Sequence, residues 1–294
     1  MPSTAPVATN LKKAAKPPAG HARQGGPFQN GRPRYPGDVT YQGGAVVTSA
    51  ESHPLYVLNP AVNCTGKDCW GNPEQFLQDL SGDDFIRIAD QYTGRNSNNQ
   101  FTVGTGVPIH MQLHPQPLTD QEVLAIVHAV ASATGQTGYG HIYHVFLPPG
   151  TDECFDSSFT TCYSPDRPNV FFFCAYHSSA TFSDVGHVLY TVEPFQNVPG
   201  CNVAPGSPNG QLVDSQASVL SHELFETITD PDGDGWWNTE SNDLLGDEIA
   251  DECSFVIFTN LGTFFDPPAF KVGKNLYAVQ MEYNNNNHAC ATSH

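Results

Sequence analysis

The segment Ser221-His222-Glu223-Leu224-Phe225-Glu226 sets an imidazole and a carboxylate four residues apart, with a second carboxylate between them. On a helix of 3.6 residues per turn, His222 and Glu226 project from one face and Glu223 sits beside them. The pattern reads HExxE, one residue from the HExxH of zinc peptidases, with Glu223 placed as the general base. Exchanging the second imidazole for a carboxylate changes the chemistry. Two imidazoles and one carboxylate leave zinc net positive and bring its bound water toward a pKa of about 7, whereas each further carboxylate weakens that acidity. The exchange also makes the harder cations calcium and manganese more competitive, because they prefer oxygen.

More ligands are needed, and three residues compete for the role. Glu248 lies 22 residues beyond Glu226, close to the interval at which one large group of zinc peptidases carries its third ligand on a second helix. Asp251 follows it, and either acid could instead hydrogen-bond the loop and orient His222. His177 is the third, at the end of an expected strand. His110, His114, His141, His144 and His187 have weaker claims; His141 and His144, three apart in a strand, face opposite sides. Past the motif, Asp230, Asp232 and Asp234 alternate as at the start of a calcium loop, with glycine at the sixth position. Position twelve, where such a loop needs glutamate, is Ser241, so a solvated acidic turn is the competing reading.

The elements that must position these groups follow from periodicity. Asp214 and Ser215 are N-cap candidates for the motif helix, whose Ala217, Leu220, Leu224 and Ile228 form an aliphatic stripe largely opposite His222 and Glu226. The stripe predicts a helix that buries one side and presents the motif to a cleft, ending before Pro231. Thr119 to Glu122 is a capping box that opens a helix closing at Gly135. Residues 45–48, 55–58, 141–147, 169–177 and 187–192 read as strands, and 75–80 and 83–92 as helices. Together they predict a mixed α/β (α+β) domain, zincin-like, with a mixed β-sheet packed on helices and loops stapled by disulfides.

Charge divides the chain of 294 residues unevenly. Residues 1–38 form a basic, Pro- and Gly-rich leader that reads as disordered, and 39–294 as one globular metal-binding domain. The first 40 residues hold six of the 12 basic residues against one acid, leaving six basic and 29 acidic residues, a formal charge of −23, on the remainder. Such a body repels nucleic acid and anionic membranes and attracts divalent cations. No apolar run approaches the roughly 20 residues of a membrane helix, and no apolar stretch follows the leader lysines to make a secretion signal. The eight cysteines lack any CxxC and predict disulfides in an oxidising compartment, Cys64 with Cys69, Cys154 with Cys162, and two longer links among the rest.

Several strings occur together in an order that resembles one family of exported proteins. They are Leu147-Pro148-Pro149-Gly150, Phe173-Cys174-Ala175-Tyr176-His177-Ser178, Ser221-His222-Glu223 with Glu226, Thr229-Asp230-Pro231, Trp236-Trp237, Glu248-Ile249-Ala250-Asp251-Glu252-Cys253 and Tyr277-Ala278-Val279-Gln280. The chain is similar, from about Asp38 onward, to the bacterial and fungal relatives of the plant Exordium, or phosphate-induced, proteins. The resemblance implies an extracellular or cell-surface protein with disulfides. It leaves the activity open between a secreted zinc-dependent hydrolase acting on peptide or protein, and a non-catalytic cell-wall protein with a structural calcium or other metal site.

Overall fold

The structure, a computed structural model, describes residues 38–97, 99–238, 248–254 and 267–294, with the backbone of three short leader strands at Lys13–Ala15 (β1), Phe28–Gln29 and Arg32–Pro33. The rest of the leader and residues 239–247 of the acidic insertion, with Glu240 and Ser241, lie outside the described residues.

Elements follow in the order β2 (Ala50–Leu58), α1 (Pro73–Ser81), β3 (Phe101–Val103), β4 (Val107–His110), α2 (Asp120–Thr134), β5 (His141–Phe146), β6 (Ala175–Phe182), β7 (Gly186–Glu193), α3 (Gln211–Thr229) and α4 (Asp251–Ser254). The sheet runs β1-β6-β7-β5-β2-β3, with β4 also on β2. β7, β5, β2, β3 and β4 pair in parallel, while β6 is antiparallel to β7, so the sheet is mixed and the fold is α/β as expected.

Alternation along the strands sends side chains to two layers. On one face Leu55, Val57, Tyr143, Val145, Tyr190 and Val192 meet the apolar side of α2, Val123, Leu124 and Val127. On the other, Tyr56, Ile142, Phe146 and Leu189 meet α1 and α3 through Leu77, Leu80, Leu220, Leu224 and Ile228. The capping box forms as predicted: Glu122 Oε2 accepts the Thr119 N–H at 2.8 Å, and Gly135, at φ +73°, ends α2.

All four disulfides close: Cys64–Cys69, Cys154–Cys162, Cys174–Cys201 and Cys253–Cys290. No helix among the described residues is long and apolar enough to cross a membrane, and disulfides at this density fit an oxidising, extracytoplasmic compartment.

Three local expectations change. Residues 45–48 form no strand; the Val47 N–H instead donates to Ile228 O at 2.8 Å and satisfies a carbonyl that the end of α3 leaves open. The strand expected over 169–177 begins at Ala175 and runs to Phe182, because the backbone of 170–172 bonds Cys162 instead of the sheet, Val170 O accepting the Cys162 N–H and the Phe172 N–H donating to Cys162 O, each at 2.8 Å. α3 begins at Gln211 after Gly210, and Asp214 lies within its first turn, where its carboxylate accepts from Asn209 N and Nδ2 at 3.1 and 2.8 Å.

Candidate metal centre

α3 is buried on every side from Asp214 to Thr229, so the motif does not face an open cleft. The sheet lies under it and the C-terminal segments lie over it. A helix with acidic and hydroxyl side chains buried all round carries its polar groups into the protein, where each must find a partner.

His222 and Glu226 meet as the helical spacing requires, Nε2 to Oε1 at 3.2 Å. His177, on β6, comes in from the sheet, with Nδ1 3.4 Å from both Glu226 Oε2 and Glu223 Oε2. The segment Glu248–Cys253 closes the third side: Glu248 Oε1 lies 3.7 Å from His177 Nε2, Asp251 Oδ1 lies 3.7 Å from His222 Nε2, and the Asp251 N–H donates to Glu226 Oε1 at 3.2 Å. All five expected ligands therefore converge, as two trios that share Glu226: His177, Glu226 and Glu248, and His222, Glu226 and Asp251.

Both rings are held from behind. Gln280 Nε2 donates to Ala250 O at 2.6 Å, which leaves its Oε1, 3.2 Å away, to accept the Nδ1–H of His222. His177 Nε2 lies 3.1 Å from Asp230 O, to which it donates. The far nitrogens are thus protonated, and the near ones, His222 Nε2 and His177 Nδ1, face carboxylates without a hydrogen bond to them. The two oxygens of Glu223 and Oε2 of Glu226 are likewise buried without hydrogen-bond partners. Carboxylates gathered in a low-dielectric interior need positive charge beside them, which the protonated rings supply and which a divalent cation among these atoms would supply in place of those protons. Two imidazoles with carboxylates suit zinc and its first-row neighbours better than calcium, which takes oxygen.

The carboxyl groups do not respond alike. Burial alone would raise Glu226, but His222 and His177 outweigh it and hold the carboxyl well below its ordinary range. Burial would lower both rings; Glu226 raises His222 and Glu248 raises His177 well above the usual imidazole value. Glu223 is pushed up by burial and by Glu226. Two further acids were not recognised as part of this centre from the sequence. Glu193, at the end of β7, is raised by burial and by the Glu223 charge, and Glu282 by burial and the acids around it. Glu193 was legible in part, since alternation along β7 puts it on the same face as Leu189 and Thr191, toward α3. Gln280, the residue that orients His222, stood in the sequence only as part of a family string.

The three aspartates considered for calcium are not brought together. Asp230 caps α3, with its Oδ1 accepting the Gly235 N–H at 2.7 Å. Asp232 accepts from Ser179 at 2.6 Å and Tyr139 at 2.5 Å and pairs with His187 at 3.1 Å. Asp234 turns back to the N-terminal segment, where its carbonyl accepts the Gly44 N–H at 2.7 Å. The chain doubles so tightly here that a Cβ on Gly235 would lie 2.4 Å from Thr229 O, so this close approach requires the glycine with or without a metal.

In comparisons with known proteins, no family model, curated protein or solved structure matches the chain.

Proposed function

We propose that the chain is an exported, metal-dependent peptide hydrolase with a zincin-like centre, held by His177, His222 and Glu226, completed by Glu248 or Asp251, and with Glu223 as general base. The observation that carries this reading is the pair of imidazoles, each fixed by a carbonyl at its far nitrogen and each turning its other nitrogen toward Glu226. A divalent cation in such a set supplies Lewis acidity, polarising a carbonyl and lowering the pKa of water. Glu223, buried and raised above the ordinary carboxyl value, is suited to accept a proton from the attacking water at a carboxylate oxygen and return it to the leaving amine. Burial and the Glu223 charge raise Glu193, which disfavours a second charged carboxylate competing for the role.

The strand beside the centre supports a peptide as substrate. Residues Lys13–Ala15 lie antiparallel along β6 with Lys13 opposite His177, so this edge accepts an extended main chain next to the centre. The resemblance to Exordium-like proteins and the four disulfides support placement at the cell surface or outside it.

One observation favours a second reading. His222, Glu223 and Glu226 are fully buried, the closed form of a structural metal site, as in a non-catalytic cell-wall protein. Elemental analysis of protein purified without chelator, with peptide-library cleavage by the parent and by Glu223→Gln, separates the two. The hydrolase reading expects zinc in both proteins and cleavage only by the parent. A zinc-loaded Glu223→Gln protein that cleaves as fast as the parent would end it, and zinc with no cleavage by either would leave the structural site.

A further inference from the structure

On the opposite face of the sheet, at the N-terminal ends of β2 and β5, Glu51, His53 and His141 come together. The pairing of the strands makes this arrangement. Glu51 and His141 are register partners on neighbouring parallel strands, and His53 is two residues on from Glu51, so all three share one face. Ser52 and His144, on the alternate face, bond each other beneath α3 at 3.0 Å, which places the trio on the side away from the motif helix.

We propose that Glu51, His53 and His141 form a second divalent-metal site, of the zinc class, independent of the centre on α3. His53 Nε2 lies 2.9 Å from His141 Nδ1 and 3.7 Å from Glu51 Oε2, and the three donors all fall within 4.8 Å of one another. Four-coordinate zinc with bonds of about 2.0–2.1 Å sets its ligands roughly 3.3 Å apart, between these two separations. Without a metal the two ring nitrogens share one proton, and a cation takes that proton's place between them.

The surroundings fit a built site rather than a chance meeting. The Tyr143 ring lies against His53 at 5.2 Å between centroids, and Gln136 Nε2 donates to Glu51 Oε2 at 3.4 Å, so the ring and the carboxylate are both supported. Gly104, held by its N–H to Ser52 O at 2.9 Å, closes the far side; a Cβ there would press to 3.1 Å from Glu51 Oε1 and 3.2 Å from His53 Nδ1. Glu51 and His141 are half-exposed, so a metal enters from solvent and water completes its coordination. The site joins two central strands at the end where α2 hands the chain to β5. It carries one carboxylate against the several of the first centre, and so it favours zinc, nickel or copper over calcium.

The test uses the full chain loaded with zinc, and with cadmium-113 for NMR. Wild type is expected to show one metal equivalent that disappears in Glu51→Gln/His141→Gln and persists in Glu226→Gln, with a cadmium resonance assigned to that equivalent by the same variants. Because both substituted positions are half-exposed, the double variant should unfold like the parent in the absence of metal. In wild type, zinc should also shift the ring nitrogens of His53 and His141 in long-range proton–nitrogen spectra, a readout that needs no variant. Retention of every equivalent by the double variant, or loss of every equivalent in Glu226→Gln, or His53 and His141 rings unmoved by zinc, would show a hydrogen-bonded histidine pair and overturn the site.

Discussion

Glu226 is the one residue common to both trios of the first centre, so Glu226→Gln isolates the metal contribution. The amide keeps the shape and two polar atoms but removes the charge 3.2 Å from His222 Nε2 and 3.4 Å from His177 Nδ1. At an effective dielectric near 20, a unit charge at that range is worth about 5 kcal/mol against a unit opposite charge, and more against a divalent one. Loss of that term reduces affinity by several powers of ten. A ligand at 100 times its Kd stabilises the folded state by about 2.7 kcal/mol, which for a domain of this size raises Tm by roughly 5–10 °C. The assay is thermal unfolding with and without saturating zinc, in a background carrying Glu51→Gln and His141→Gln so that only this centre contributes. Taking each variant's own metal-free midpoint as reference cancels the packing cost of the substitution. The expected result is a rise for the background protein and none once Glu226→Gln is added, with metal per chain falling in parallel. An equal rise and equal metal content in both proteins would refute Glu226 as a ligand and the reasoning from oriented imidazoles with it.

Gln280→Leu should weaken zinc binding about 10- to 100-fold by freeing His222 Nδ1, while Gln280→Glu, which keeps the acceptor, should weaken it less; equal affinities in a chelator competition would remove Gln280 as the orienting group. Burial first, and then His53, pull the fully buried His144 down to about 3 from 6.5, so the unfolded chain binds a proton that the folded one refuses as pH falls through that window. Stability should therefore drop between about pH 6.5 and 3, by roughly 5 kcal/mol at 1.36 kcal/mol per unit, and His144→Gln should flatten the slope in urea titrations; an unchanged slope rejects the assignment. Removing Cys253–Cys290, with a separation of 37, should cost about 4 kcal/mol and weaken metal binding, because it ties down α4 beside Asp251. Removing Cys64–Cys69, with a separation of 5, should cost about 2 kcal/mol and leave the metal in place, and equal metal loss from both variants would contradict this division.

How much of this was legible depended on whether the deciding contact was local. The His222–Glu226 pair, the capping box at Thr119 and the short disulfides are set by neighbours in sequence, and the structure has them as read. The choice among His177, Glu248 and Asp251 was open because it depends on how residues 248–253 dock on α3, and that docking is fixed by Gln280 from some thirty residues further along. The expected cleft failed for a related reason. An aliphatic stripe shows which side of a helix is buried, and it does not show that the other side is exposed. The stronger signal was the absence of any lysine or arginine from Gln211 to Thr229, since an exposed helix face of that length is rarely without one. For β6, the run Ser178-Ser179-Ala180-Thr181 concealed a strand because its alternate positions turn toward the polar underside of α3.

That underside is the reason to treat the centre as more than a satisfied ion pair. Ser52, His144, Thr191 and Glu193 run across the sheet beneath the motif, linked by hydrogen bonds of 3.0, 2.9 and 2.8 Å, and end at the carboxyl whose charge state responds to Glu223. Four adjacent core positions are thereby given to polar groups that aliphatic side chains would fill at less cost in desolvation. A structural ion needs its ligands and the groups that aim them, which His177, His222, Glu226, Gln280 and the 248–253 segment would provide. It does not need a chain of hydroxyl, imidazole and carboxyl behind a glutamate that has no hydrogen bond of its own. Such a chain does have a use if Glu223 must stay poised between accepting and releasing a proton. Thr191→Val, which breaks the chain without touching a metal ligand, separates the cases: a hydrolase should keep its zinc and shift the pH profile of its cleavage, whereas a structural site should show the same metal content and stability change with no profile to shift.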